Sequence, residues 1–208
     1  LPRDYRRQIE HHGSLALQGI LSEVGLWSSL PRVEHVQFDL VVNEKIRVQL
    51  KVRTKSRDGG RYTLPLFKSN GKINGKLVTA QYSAEDFDVL VAVLSRDEDL
   101  VGIAVVPMDE LVARGIVGRT DKASGSLSLY PPSMSPSRET AIAEQALQQQ
   151  YFFEPRSLSG SSVDKSKGCS DPSMSLAEED SRRLRKLMLS CQRDWQEPAE
   201  LTLASLDA

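Results

Sequence analysis

Three residues in the first quarter of the chain have the types and spacing that metal-assisted hydrolysis needs: Asp39, then Gln49 and Lys51. They lie on two alternating segments joined by Asn43-Glu44-Lys45, a composition that marks a turn. With a three-residue turn, Val42 pairs with Ile46, Leu40 with Val48 and Phe38 with Leu50. Residues two apart share a face of a strand, so these six apolar side chains form one core face. The other face carries Asp39, Val41, Arg47, Gln49, Lys51 and Arg53, with Asp39 opposite Gln49. Paired Cβ atoms in such a hairpin lie about 4.5–5.5 Å apart. A slip of one residue would bury Arg47, Gln49 and Lys51, so the register is well determined. The Asp39 carboxylate, the Gln49 amide oxygen and the Leu50 main-chain carbonyl are then hard donors suited to Mg²⁺, with Mn²⁺ as the alternative. Such an ion polarises a phosphodiester and lowers the pKa of a bound water. Lys51, one step along the same face, can orient that water or offset charge on the phosphorus. The three residues also fit an ordinary two-sided hairpin whose polar face meets solvent.

Charge is distributed in a way that bears on this. The 208 residues carry a net charge of −1, but residues 1–130 hold 18 Lys and Arg against 16 Asp and Glu, and the remainder 9 against 12. Between residues 45 and 76 there are ten basic residues and one acid, Asp58. A local positive patch of this kind can track a phosphate backbone. Its candidate contacts are Arg47, Arg53, Lys55, Arg57, Arg61, Lys68, Asn70, Lys72 and Lys76.

The elements that must position these residues follow from periodicity. Residues 5–24 have a helical stripe of Ile9, Leu15, Leu17, Ile20, Leu21 and Val24 that ends before Gly25, with Gly13 as an interior weakness. A strand is expected at Tyr62–Phe67, with turns at Lys68–Gly71 and Asn74-Gly75. Phe87–Leu94 and Leu100–Val106 are near-continuous apolar runs, expected as a hairpin in the middle of a sheet. Pro107 ends the second run, Asp109 is the expected N-cap of a helix Glu110–Arg114, and Leu127–Tyr130 is a last strand. These features predict a domain at residues 1–130, a flexible Ser- and Pro-rich linker with a short helix at 131–175, and a C-terminal helix and tail at 176–208. On that last helix Arg182, Arg183, Arg185 and Lys186 are expected to form a solvated face.

Several classes drop out. Cys169 and Cys191 have no metal-type spacing and are expected as free intracellular thiols. No apolar run reaches the roughly 18–20 residues of a membrane span, and no secretory h-region is present, so a soluble intracellular protein is expected. His11 and His12, adjacent on a helix, cannot both face one metal. Asp86 and Asp88 suit a metal or, equally, capping and turn roles. Tyr62 and Phe67, interleaved with basic residues, suit base stacking, and for Phe67 core packing is expected instead.

The order of a helix, then Asp39, then Gln49-x-Lys51 on the next strand resembles the PD-(D/E)xK nucleases, in the Gln-x-Lys branch that is similar to group I intron homing endonucleases. The resemblance runs over about residues 10–130, through Lys68-Ser69-Asn70-Gly71, Tyr82, Asp86-Phe87-Asp88 and Val106-Pro107-Met108-Asp109-Glu110. It implies an α/β fold, a restriction-endonuclease-like core with a central mixed β-sheet flanked by helices, followed here by a largely disordered tail with a C-terminal helix. It further implies a DNA endonuclease using Mg²⁺ through Asp39, Gln49 and Leu50, with DNA as partner, no membrane, and room for a homo-oligomer. The family's first helix supplies an acid where this chain has Ser14, and Glu10, one turn earlier on the same face, can substitute as the fourth catalytic residue. The alternative is a catalytically degenerate nucleic-acid-binding module of the same fold.

Overall fold

Helix α1 (Arg3–Glu23) forms where apolar residues recur at helical spacing, and Leu17, Ile20 and Leu21, with Val24 just beyond it, are all buried. It ends in a Schellman motif. Gly25 takes φ +71°, its N–H donates to the Ser22 carbonyl, and the Leu26 N–H donates back to Leu21 at 2.8 Å. The computed structural model describes residues 3–31, 37–53, 61–73, 75–96, 99–118, 125–157 and 174–193.

The other elements, in chain order, are β1 (Ser28–Ser29), β2 (Leu40–Val42), β3 (Ile46–Arg53), β4 (Tyr62–Ile73), β5 (Lys76–Gln81), β6 (Val89–Arg96), β7 (Asp99–Pro107), α2 (Met108–Ala113), β8 (Gly125–Leu129), α3 (Glu139–Gln148), β9 (Phe152–Phe153), β10 (Arg156–Ser157), β11 (Met174–Ser175) and α4 (Glu178–Ser190). A six-stranded sheet has the order β1-β2-β3-β6-β7-β9, with β3 and β6 parallel and the other neighbours antiparallel. This is the mixed sheet flanked by helices that the sequence implies. A second sheet, β5-β4-β8, supplies Tyr62, Leu64, Leu66, Leu127 and Leu129 to a cluster on one face of the first.

Both faces of the central sheet are therefore covered. In β6, Val89, Val91 and Val93 pack on the α1 side, and Leu90, Ala92 and Leu94 pack toward β4 and β8. That double burial explains the unbroken apolar run. The β2–β3 register is the expected one, Leu40 with Val48 and Val42 with Ile46. Asn43 and Glu44 make the turn with φ of 50° and 60°, the primed geometry that matches strand twist. Phe38 departs from expectation. β2 begins only at Leu40, and Phe38 joins the cluster of Val41, Tyr82 and Phe87 instead of the α1 face. The chain leaves the ladder there because the Asp39 N–H bonds the Val48 carbonyl and the Asp39 side chain takes the Leu50 N–H.

Other expectations change for local reasons. Lys68–Gly71 is no turn; it lies inside β4, where pairing with β5 shifts register between Ser69 and Lys72 and Gly71 has φ +86°. Pro107, not Asp109, occupies the N-cap of α2, and Asp109 pairs with Arg193. The packed core does not end at residue 130. β9 extends the central sheet beside β7, and Leu176, Leu184, Met188 and Cys191 fill the cluster that contains α1. The basic face of α4 is only partly solvated, since Arg183 donates to Phe152 O and stacks 4.5 Å from the Phe153 ring, and Arg185 donates to Val24 O. Cys191 is a free, buried thiol, pushed up to about 12 by burial; Cys169 lies outside the described residues. Among the described residues no helix is long and apolar enough to cross a membrane.

Gly13 marks where α1 crosses β3. A Cβ there would sit 2.5 Å from Val52 Cγ2, whereas one at Gly19 meets nothing within 4 Å. Gly13→Ala is expected to destabilise by about 1–3 kcal/mol through overpacking. Gly19→Ala should stabilise by about 0.5–1 kcal/mol through helix propensity. Urea unfolding followed by circular dichroism checks both signs.

Candidate active site

The half of β3 beyond Val48 has β6 on one side and, among the described residues, no paired strand on the other, because β2 is three residues long. Asp39 stands at this opening. Its Oδ2 accepts the Leu50 main-chain N–H at 2.7 Å and a second hydrogen bond from Gln49 Nε2. The same Nε2 lies 3.3 Å from the Leu50 carbonyl. The other end of that carboxamide, Oε1, accepts the Tyr82 hydroxyl at 3.0 Å. Lys51 Nζ is 3.5 Å from the Tyr82 oxygen and 5.7 Å from the centre of its ring. Tyr82 is held in turn by an edge-on contact with Phe87, ring centres 5.1 Å apart.

The charges act on one another as a group. Burial raises the Asp39 pKa above the usual carboxylate value, the Leu50 N–H and Lys51 oppose the rise, and Glu10 adds to it. Burial lowers the Lys51 pKa, partly offset by Asp39 and Glu10. Asp39 retains solvent exposure even so, which fits a carboxylate at the rim of a densely packed strand. Glu10, exposed on α1, is thus near enough to influence both groups. The Tyr82 hydroxyl is pushed up to about 12 by burial and by the carboxylates of Asp39 and Asp86, so it stays a neutral donor.

The residues expected in the site divide into those that meet and those that do not. Asp39, Gln49, Leu50 and Lys51 meet, with Glu10 beside them. Arg47, expected to contact DNA, does not. It is 4 % exposed and bidentate to Asp88, Nε to Oδ2 at 3.1 Å and Nη2 to Oδ1 at 2.7 Å. Its own N–H also donates to Asp88 Oδ2, and a further N–H reaches the Glu85 carbonyl. Asp88 is consequently a structural anchor. Asp86 is equally committed, to Lys68 Nζ at 2.7 Å and to the Ser83 N–H. These two acids take the turn and pairing roles, and Lys68 is partnered within the protein. Arg53 and Arg61 are half-buried at strand positions and Lys76 is exposed on β5. The main chain of Asn70 and Lys72 belongs to β4; Lys55 and Arg57 lie outside the described residues. Tyr62 and Phe67 face opposite ways on β4; the first is buried in the core, and the second, expected there, is exposed instead. Tyr82 is the residue that reasoning from the hairpin alone overlooked as a site member. Its signal was position: an aromatic hydroxyl just before the turn that opens the parallel neighbour of the Gln49 strand.

With that geometry in hand, the comparison with known families is decisive. The chain matches the PD-(D/E)XK endonuclease model over residues 11–123. It belongs to that family. Among solved structures it is similar to MepB, with 21 % identity and a TM-score of 0.46, covering 61 % of this chain and 85 % of that one. It is also similar to a bacterial homing endonuclease, I-Ssp6803I, with 18 % identity and a TM-score of 0.42, over 67 % of this chain and 92 % of that one. No curated protein matches the chain.

The Arg47–Asp88 pair should prove structural in a direct test. Removing one partner of a buried pair leaves an uncompensated charge, so Arg47→Ala is expected to cost about 3–5 kcal/mol. Lys76→Ala, an exposed change, should move stability by less than about 0.5 kcal/mol. Thermal melts of the two variants beside the parent protein check this.

Proposed function

We propose that this member of the PD-(D/E)XK endonuclease family is a metal-dependent DNA endonuclease. The observation that carries the reading is the convergence of the Asp39 carboxylate, the Gln49 carboxamide and the Leu50 carbonyl at an open sheet edge beside Lys51. All three can offer hard oxygen, so the donor set fits Mg²⁺ or Mn²⁺. A bound divalent ion would polarise the phosphodiester and activate a water. Asp39, Gln49 and Leu50 would hold that ion. Lys51, kept in place by Tyr82 and Asp39, places a positive charge where the phosphorus becomes more negative. Glu10 supplies the helix carboxylate that Ser14 lacks. Basic residues of the 45–76 segment, the exposed Lys76 among them, hold the duplex backbone.

A second reading has one observation in its favour. Asp39 is the sole acid on the hairpin's polar face, and among the described residues no three His, Cys, Asp or Glu side chains cluster to hold a metal. A degenerate DNA-binding module of the same fold would look similar, and it would bind duplex DNA without regard to metal or to Asp39.

Supercoiled plasmid treated with the full chain and Mg²⁺ or Mn²⁺ is expected to be cleaved, and EDTA should abolish the reaction. Asp39→Ala and Lys51→Ala should each lower the rate by at least about 10²-fold. Cleavage that survives Lys51→Ala sinks the mechanism, and metal-indifferent binding without cleavage favours the degenerate module. The pH profile should be bell-shaped. Protonation of Asp39 gives the acid limb, and loss of the Lys51 proton ends activity at a lower pH than an ordinary lysine would.

A further inference from the structure

The Gln49 carboxamide faces the wrong way for a metal ligand, and chemistry forces it to. The groups at its inner end, the Asp39 carboxylate and the Leu50 carbonyl, can only accept hydrogen bonds. Only the NH₂ end can face them. A cation held by the same two oxygens requires the reverse, with Oε1 turned inward and Nε2 turned out. The group at the outer end is Tyr82, whose hydroxyl donates to Oε1 as found and can equally accept from Nε2. Gln49 is 4 % exposed and Tyr82 5 % exposed, so water is a poor substitute for that partner.

We propose that Tyr82 is a positioning residue that allows the Gln49 carboxamide to rotate, satisfying it with NH₂ inward before cation loading and with Oε1 inward after. This rests on the metal-dependent reading above. Lys51 cannot take the role over in both states. Its ammonium, 3.5 Å from the Tyr82 oxygen, can donate to Oε1 but cannot accept from Nε2. Loss of the hydroxyl therefore biases the amide toward NH₂ inward and against the cation. A glutamate at position 49 has no NH₂ end and needs no rotation.

Calorimetric titration of the full chain with Mn²⁺, without DNA, tests this. Tyr82→Phe is expected to weaken binding about 10- to 100-fold, as other groups that orient a metal ligand do. In a Gln49→Glu background the same change should cost less than about threefold, and the difference is the coupling that rotation predicts. Addition of Mg²⁺ should also move the Gln49 side-chain amide resonances, identified by their loss in Gln49→Glu. Equal affinity of the Tyr82→Phe and parent chains overturns the proposal, as does an equal loss in both backgrounds, which is what general loosening gives. Unmoved Gln49 resonances with Asp39-dependent binding overturn it while leaving the metal-dependent reading intact. A parent chain with no Asp39-dependent binding removes both.

Discussion

The buried ion pair between Arg47 and Asp88 is the constraint on which the rest of the site depends. It is made twice over, because the Asp88 N–H also returns a hydrogen bond to the Arg47 carbonyl at 2.9 Å and the Met108 N–H closes on Asp88 O at 2.9 Å. One residue pair thereby ties β3 to the start of β6 and to the junction of β7 with α2. Two positions along β3 lies Gln49, and six positions before Asp88 lies Tyr82. With the parallel β3–β6 ladder, the pair fixes where those two segments meet and so where Gln49 and Tyr82 can hydrogen-bond. Burial of two charges is costly, and a single geometry with every hydrogen bond satisfied is what offsets it. The interaction therefore acts on position more than on net stability.

Much of this is legible in the amino-acid sequence. Strand alternation and the Asn43–Lys45 turn gave the hairpin register, and the register alone put Asp39 opposite Gln49 with Lys51 one step further. The apolar runs of β6 and β7 placed both strands in the sheet interior. What the pattern hid was the fate of each charge. Arg47 alternates in phase with Gln49 and Lys51, so periodicity assigns it to a solvent face, yet that face is covered by the β5-β4-β8 sheet. Its acid lies 41 residues away, and pairing over such a separation leaves no local trace. Likewise Lys68 looked like one more base in a positive patch until folding brought Asp86 to it.

Gly13 offers the opposite case. Judged by helix propensity it weakens α1, and it is Val52 on β3 that accounts for it: the helix needs a position without a side chain to come close enough for its Leu17, Ile20 and Leu21 to reach the sheet. The same approach brings Glu10 near enough to act on Asp39 and Lys51. A residue that appears as a local fault thus accounts for Glu10 lying near Asp39 and Lys51.

The closure of the core by α4 also has a kinetic meaning. Arg185 reaches back to Val24 across 161 residues of sequence, and Leu184 and Met188 pack in one cluster with Leu17 and Ile20. A nascent chain emerging from the ribosome leaves that cluster incomplete until α4 is made. Contacts of such high sequence separation are slow to form, because a long loop must be closed before they repay its entropy. The molecule must spend that interval with the α1 cluster lacking Leu184 and Met188, a period in which a chaperone has the most to offer it.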